Sequence, residues 1–315
     1  VVEHHFTWGY LIAIYLFTAG ISSGAGIVAA IGYIVNGMDE RLKRLAAYFA
    51  PFPVLIGLAC LILDLHRPWN FYKVLIYYNP TSVMSWGAFF LLVFPLVSLA
   101  FAVMVYFNID NKLRRFLAWM ELVFGIAIGV YAGLLLAAIY NNPVWSNPLI
   151  AFLFFISALS TGICSLMLIG RKGDKLDDLV RRFIPQKWQP EKIKLDFDKK
   201  LFLRLLIVDA VFIVLELMVI STLLISYALR PTGEIALGAI ITGGYYLLFW
   251  IGVVLIGLTI PLILGIMEVG GRIKGRLGHI VPWAEPTMVL IGGFLLRYVI
   301  VYGGEIVYPI LTLYP

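Results

Sequence analysis

Charge is what this chain has least of. Asp, Glu, Lys and Arg make up 13% of its residues, against 62% hydrophobic, and mean hydropathy is +0.95. That balance excludes an ordinary soluble domain and places the chain in a bilayer. Short alternating apolar segments are also lacking, which argues against a membrane barrel. The apolar runs are continuous and roughly 18 to 30 residues long, as spanning helices require. Cysteine is scarce. Cys60 and Cys164 lie inside apolar runs, where they read as small core hydrophobes and cannot form a CxxC metal or cluster site. Histidine is scarce too. His4, His5, His66 and His279 fall at span ends or in loops, so a haem held by paired histidines at depth is not expected, nor a metal. The glycines do not form a phosphate loop between strand and helix and suit close helix packing instead. The net charge of +6 comes from loops between spans and does not point to nucleic acid.

What is there is eight candidate spans, over residues 8–35, 46–63, 83–106, 116–140, 149–169, 201–228, 237–266 and 283–308. The first is preceded by Glu3, His4 and His5, not by a basic segment, and is expected to be a retained span. The loops at 36–45, 107–115, 170–204 and 270–280 hold 20 of the 24 Lys and Arg residues. The rule that positive loops stay inside then places both termini outside. The expected fold is an all-α membrane protein of eight transmembrane helices. Residues 1–169 hold the first four-helix bundle plus span 5, residues 170–200 form a basic cytoplasmic linker with Pro185 and Pro190, and residues 201–315 complete a second bundle.

The halves echo each other. Ser22-Ser23-Gly24 in span 1 matches Ser160-Thr161-Gly162 in span 5, and Arg67-Pro68 after span 2 matches Arg230-Pro231 after span 6. Ser85-Trp86-Gly87 in span 3 matches Thr242-Gly243-Gly244 in span 7, and Trp119-Met120-Glu121 in span 4 matches Trp283-Ala284-Glu285 in span 8. Small residues recur at helix contacts for packing alone, but four matches in one order, each four spans apart, predict two parallel-related four-helix bundles. The most polar stretch at a membrane boundary is 64–87. An interfacial belt accounts for its Trp69, Lys73, Tyr77 and Tyr78. It accounts less well for Asp64-Leu65-His66-Arg67-Pro68, where an acid, an imidazole and a guanidinium precede a proline that ends the helix.

These motifs resemble the NrfD/polysulfide reductase membrane-subunit family. The similar stretches are Tyr15-Leu16-Phe17-Thr18-Ala19-Gly20, Asp64 to Pro68, Asn79-Pro80 through Met84-Ser85-Trp86-Gly87, Tyr131-Ala132-Gly133-Leu134-Leu135, Pro143-Val144-Trp145, Ser157-Ala158, and Leu295-Leu296-Arg297 through Val301-Tyr302-Gly303-Gly304. The resemblance covers nearly the whole chain. It implies a subunit of a respiratory complex in a prokaryotic plasma membrane, without haem or metal of its own. Such a subunit exchanges electrons between the quinone pool, menaquinone or similar, and an iron–sulfur partner, which usually relays them to a molybdopterin catalytic subunit. It also implies a quinone near the outer face, among the first four helices. Where the family example has an Asn and a His one turn apart in span 1, this chain has Leu11 and Tyr15.

On that reading, the residues expected around the quinone are Tyr15, Asp64, His66, Arg67, Trp86 and Tyr131. Tyr131 lies about nine residues from the outer end of span 4, ~14 Å deep, and a buried phenol needs a partner that a quinone carbonyl can be. His66 titrates near neutrality and either donates or accepts; Asp64 could orient it or Arg67. Packing and interfacial snorkelling are the competing readings for each. A second constellation, Glu121, Asp209, Glu216 and Arg297, is expected to form a proton path, because ionisable groups inside a membrane mark pathways by default. Asp209 and Glu216 share one face of span 6. Glu216 and Arg297 lie at matching depth, so a direct or one-water contact is expected. Glu121 and Glu285 lie near the inner surface, where snorkelling or a helix N-terminus also accommodates a carboxylate. The alternative is a proton-coupled secondary transporter built on the same charges, which should show interrupted helices at matching positions of both halves.

Overall fold

A computed structural model describes residues 9–312, except 36, 66–67, 71, 78, 140, 183–188, 190–193, 232 and 274–276. Among the described residues the fold is all helical, with no strand. The first half holds α1 (Tyr10–Ile34), α2 (Glu40–Phe49), α3 (Pro51–Asp64), α4 (Lys73–Ile76), α5 (Val83–Tyr106) and α6 (Lys112–Ala137). Then come α7 (Leu149–Gly170), α8 (Gly173–Arg182), α9 (Lys199–Ala228), α10 (Gly233–Leu237), α11 (Ile260–Val269) and α12 (Leu277–Thr312), with π-helical segments at Gly238–Thr242 and Leu248–Thr259. Seven helices are long and apolar enough to cross a membrane, counting α2 and α3 as one run over Glu40–Asp64 and Leu248–Val269 as another. To these the chain adds α9, whose 30 residues carry Asp209 and Glu216.

Two spans differ notably from the sequence reading. The second span begins at Glu40 rather than residue 46, because Asp39 caps α2 by accepting from the Arg41 amide at 3.0 Å. Pro51 and Pro53 then remove two amide donors at the α2–α3 joint, and Ser22 of α1 donates its hydroxyl to the Ala50 carbonyl there. The seventh span is interrupted rather than continuous over 237–266. The chain leaves its helix at Gly243, where the backbone is extended, and re-enters it at about Leu247. Glycines at 243 and 244 make that break cheap. The π turns of Leu248–Thr259 lead into Pro261, which has no amide to give the preceding turn. By contrast α5 runs unbroken through Pro95.

α1 and α7 are the central pair. Each has 72% of its apolar window buried; α1 packs on α3, α6 and α7, and α7 packs on α6, α9 and α12. The small residues of α1 explain its position. Successive helical positions point about 100° apart, and three neighbours in sequence meet three different helices. Ser22 bonds the α2–α3 joint, Ser23 donates to the Gly125 carbonyl of α6 at 2.7 Å, and Gly24 lies against α7. The matching triplet of α7 does the same. Ser160 donates to Asp209 of α9 at 2.7 Å, Thr161 lies against Gly293 of α12, and Gly162 lies against Gly24 of α1.

The halves are also joined at both ends. After α6, the loop is fixed by Trp145 Nε1 donating to the Ile300 carbonyl at 2.8 Å and Asn142 Nδ2 to the Gly304 carbonyl at 2.8 Å. Tyr227 of α9 donates to the Val144 carbonyl at 2.5 Å. At the opposite end, Arg41 of α2 binds Asp198, with one contact at 2.7 Å. It also binds Asp39 at 3.0 Å, and this pins the segment before α9 to the first half. The Arg41 hydrogen bonds hold both the Asp39 and Asp198 carboxyls below the usual carboxylate range.

Candidate functional site

The first candidate region lies between α1, α3, α5 and α6. Tyr131 of α6 is 5% exposed, and its phenol rests on Gly87 of α5, where any Cβ would collide with the ring. The glycine of Ser85-Trp86-Gly87 is therefore required by the tyrosine opposite. Tyr15 of α1, 2% exposed, stands near enough to Tyr131 for their phenols to interact electrostatically. An aromatic row lines the approach. Phe90 packs against Tyr131 with ring centroids 6.4 Å apart and against Trp86 at 5.9 Å, and Phe124 lies 6.2 Å from Phe90. Such a region offers flat apolar walls ending at two phenols.

Of the other residues expected here, Asp64 ends α3, with Oδ1 beside Gly9 at the start of α1. Trp86 stands in the first turn of α5. It is 43% exposed, and its Nε1 donates to the Pro80 carbonyl at 2.9 Å, closing the turn before α5. His66 and Arg67 lie outside the described residues. The structure thus brings Tyr15 and Tyr131 together, links Trp86 to Tyr131 through Phe90, and leaves Asp64 at the end of α3.

The second region is a line of buried ionisable groups among α7, α9 and α12. Asp209 of α9 is fully buried and accepts from Ser160 at 2.7 Å. Ligand atoms of Asp209, Cys164 and Glu285 all lie within 4.8 Å of one another. This trio is the one group among the described residues that could share a metal ion. Glu285 is 1% exposed, which corrects the snorkelling expectation; burial between α7 and α9 keeps it from the surface. Towards one end, Glu268 of α11 is within electrostatic reach of Glu285, Arg171 and Lys199. Towards the other, Glu216 lies two turns along α9 and interacts with both Asp209 and Arg297. One oxygen each of Asp209, Glu268 and Glu285 has no hydrogen-bond partner among the described residues.

Arg297 is 1% exposed, and the expected direct Glu216–Arg297 contact does not form among the described residues. The guanidinium turns towards α7 and α1 instead. It donates to Ser157 Oγ at 3.2 Å and to the Gly293 carbonyl at 2.8 Å, and it stacks over Phe154 at 5.4 Å and Phe17 at 5.7 Å. Neutral acceptors and ring faces so replace a paired carboxylate. Gly20 makes the room, since a Cβ there would fall 2.6 Å from Nη2. Glu121 does not join this line. It is fully buried in the first half, accepts from Ser98 at 2.9 Å and faces Gly26 of α1, so the snorkelling reading fails for it as well. Sequence reasoning underrated Glu285 and did not associate Cys164 with it. The signal was available in the position of Cys164 four residues after Ser160, one helical turn along the same face.

Comparison with known proteins gives a consistent picture. The family described as "Polysulphide reductase, NrfD" matches residues 2–309. A polysulfide reductase subunit of Wolinella succinogenes is 33% identical, over 95% of this chain and 94% of that protein. An NrfD homolog of Haemophilus influenzae is 31% identical, over 95% of this chain and 94% of its own length. The integral membrane subunit of an Hdr-like menaquinol oxidoreductase from Archaeoglobus fulgidus is 25% identical, over 51% of this chain and 40% of that protein.

Proposed function

The chain belongs to the polysulphide reductase NrfD family, and from that premise we propose that it is the quinone-reactive membrane anchor of a respiratory reductase complex. In this reading it passes electrons between a menaquinone-type quinone and an iron–sulfur subunit docked on the outer loops, which feeds a molybdopterin catalytic subunit. Eight spans, with α9 as the eighth, form two four-helix bundles with both termini outside. The observation that carries the quinone assignment is the pair of buried tyrosines, Tyr15 and Tyr131, brought together at the end of an aromatic row. A buried phenol is stabilised by a partner, and a quinone carbonyl at the slot's end supplies an acceptor. When bound, the quinone supplies two-electron, two-proton redox chemistry. The chain supplies the walls, the hydrogen bonds and the proton route.

That route, in our reading, is Glu268, Glu285 with Asp209, Glu216 and then Arg297. Two carboxyl groups as close as Asp209 and Glu285 in a buried site titrate as a pair, which suits a station that holds one proton. Arg297 ends the line against Gly20, five residues from Tyr15 on the same helix. Glu121, in the first half, stands apart from it. The transporter reading is less well supported, because the helix break at 243–247 has no counterpart in α5.

Photolabelling with an azidoquinone tests the assignment. Label on α1, α5 or α6 near Tyr131 is expected. Label confined to α9 and α12 would move the quinone to the charged region and overturn it.

A further inference from the structure

The basic end of α6 carries a feature unrelated to quinone or proton chemistry. A cavity of about 280 Å³ opens between the end of α1, the start of α2 and the start of α6, lined by Tyr33, Lys43, Asp110, Arg114 and Arg115 among others. A second, of about 370 Å³, shares Asp110 and Arg115 with it and continues along α6 past Lys112, Phe116 and Trp119. The lining therefore holds four cations against one carboxylate. Asp110 is already paired with Arg114 at 2.6 Å, and Lys43 is paired with Glu40 at 2.6 Å. Arg115 and Lys112 make no side-chain hydrogen bond or ion pair to another described residue.

Two geometric details turn this from a charged surface into a site. Tyr33 lies between two of the cations, with Lys43 Nζ 4.7 Å and the Arg114 guanidinium 5.1 Å from its ring centroid, which fixes both at the cavity wall. Along α6, Lys112, Arg115, Phe116 and Trp119 are spaced i, i+3, i+4, i+7, so they form one stripe. The stripe is charged at the helix start and aromatic a turn further into the apolar run. Phe116 and Trp119 are 56% and 48% exposed, where acyl chains would cover them. A phosphate among cations above an apolar wall is the outline of a phospholipid, and basic pockets between membrane helices bind anionic headgroups.

We propose that this double cleft binds the phosphate headgroup of an anionic phospholipid, with Arg115 and Lys112 as its charge partners and Phe116 and Trp119 against its acyl chains. The proposal requires only that the chain spans a bilayer, and it stands whether or not the quinone assignment does. The test is the melting temperature of the purified full chain in detergent, titrated with short-chain phosphatidylglycerol, phosphatidylcholine or inorganic phosphate. Phosphatidylglycerol is expected to raise it saturably and phosphatidylcholine not. Arg115→Gln should weaken the phosphatidylglycerol midpoint roughly five-fold, the scale of one interfacial cation, and Arg115→Lys should retain it. Asp110→Asn removes the one lining carboxylate and should tighten binding, an effect that damaged folding cannot mimic. Equal response to both lipids, an equal shift with inorganic phosphate, or unchanged binding in Arg115→Gln would overturn the proposal.

Discussion

Gly24 of α1 and Gly162 of α7 lie backbone to backbone at the centre of the molecule. A Cβ on Gly162 would come within 2.7 Å of Gly24 Cα, and one on Gly24 within 2.1 Å of the Ala158 carbonyl oxygen. The two glycines occupy the same place in their triplets, and the residues before them face equivalent neighbours. Ser22 and Ser160 reach the helix that follows each triplet's own helix by one span, α2–α3 and α9. Ser23 and Thr161 reach the helix three spans on, α6 and α12. The two triplets thus make matching contacts, each glycine against its counterpart.

Substitution at this contact should therefore be severe. Gly162→Leu has no space and no flexible neighbour to displace, and overpacking of this kind costs roughly 1–3 kcal/mol or more. We expect a melting temperature lowered by several degrees or no folded protein. Gly238→Ala, with open space around it, should be tolerated in the same assay. Equal tolerance of both would mean that the crossing is looser than described.

Tyr131→Phe should slow quinol turnover by about ten-fold or more while leaving assembly intact, since it deletes one hydroxyl and keeps the ring. Gly87→Ala should slow turnover as well, by displacing the same ring from α5. Steady-state quinol oxidation by the assembled complex checks both. If Tyr131→Phe turns over normally, the phenol is packing.

Glu216→Gln should leave the fold nearly as stable as before. Arg297 draws its hydrogen bonds from Ser157 and the Gly293 carbonyl, so the change does not strand a paired cation. Proton translocation should fall while quinol oxidation persists. The reverse substitution is harsher. Arg297→Leu leaves Ser157 and ring faces around a non-polar side chain and removes the end of the line, so both stability and translocation should drop. Thermal denaturation and proton uptake in vesicles separate the two variants.

The clamp at Arg41 gives a pH prediction. The Asp39 and Asp198 carboxyls are held below their unfolded value, which for Asp is about 3.9. Their contribution is fully present above that pH and is lost as pH falls through the lower folded value. Protection of the 194–198 amides, taken relative to intrinsic exchange at each pH, should hold at neutral pH and fall only below about pH 4. Arg41→Gln should lower it at every pH.

Much of this was legible in the sequence because membrane helices announce themselves by length and apolar content. The matching small-residue triplets could be read because packing places small residues where backbones meet, as at Gly24 and Gly162. The break at Gly243 was visible as a glycine pair but is indistinguishable in composition from a tight helix contact. The turn that Trp86 closes on the Pro80 carbonyl was not legible, because an indole at a boundary is equally apt to line a pocket or to close a turn. The destination of Arg297 was not legible either. Matching depth makes a carboxylate partner plausible, but rotation about the helix axis sends the guanidinium to α7 and α1, and rotation is set by packing rather than by hydropathy.

Glu121 and Glu285 provide the sharpest test, because they share a sequence setting and differ in surroundings. Each follows a Trp by two residues, and each is buried. Each faces the central helix of its own half one turn beyond the Ser of the triplet. Glu121 meets Gly26 there, whereas Glu285 lies with Cys164. The difference lies in the third partner. Glu121 has a neutral one, the Ser98 hydroxyl at 2.9 Å. Glu285 has a second carboxyl, Asp209, and beyond it Glu268 on one side and Glu216 on the other. Among the described residues Glu121 has no second carboxyl beside it to hand a proton to. A carboxyl within a line of others does. Glu285→Gln should therefore lower proton translocation by at least ten-fold with quinol oxidation less affected, and Asp209→Asn should match it, because both dismantle one pair. Glu121→Gln should leave the ratio of protons moved to quinol oxidised unchanged and cost stability alone, by about 1 kcal/mol for one buried hydrogen bond exchanged. The measurement is that ratio in vesicles holding the assembled complex. Equal loss of the ratio in Glu121→Gln and Glu285→Gln would place the route in both halves, and loss in Glu121→Gln alone would move it to the first.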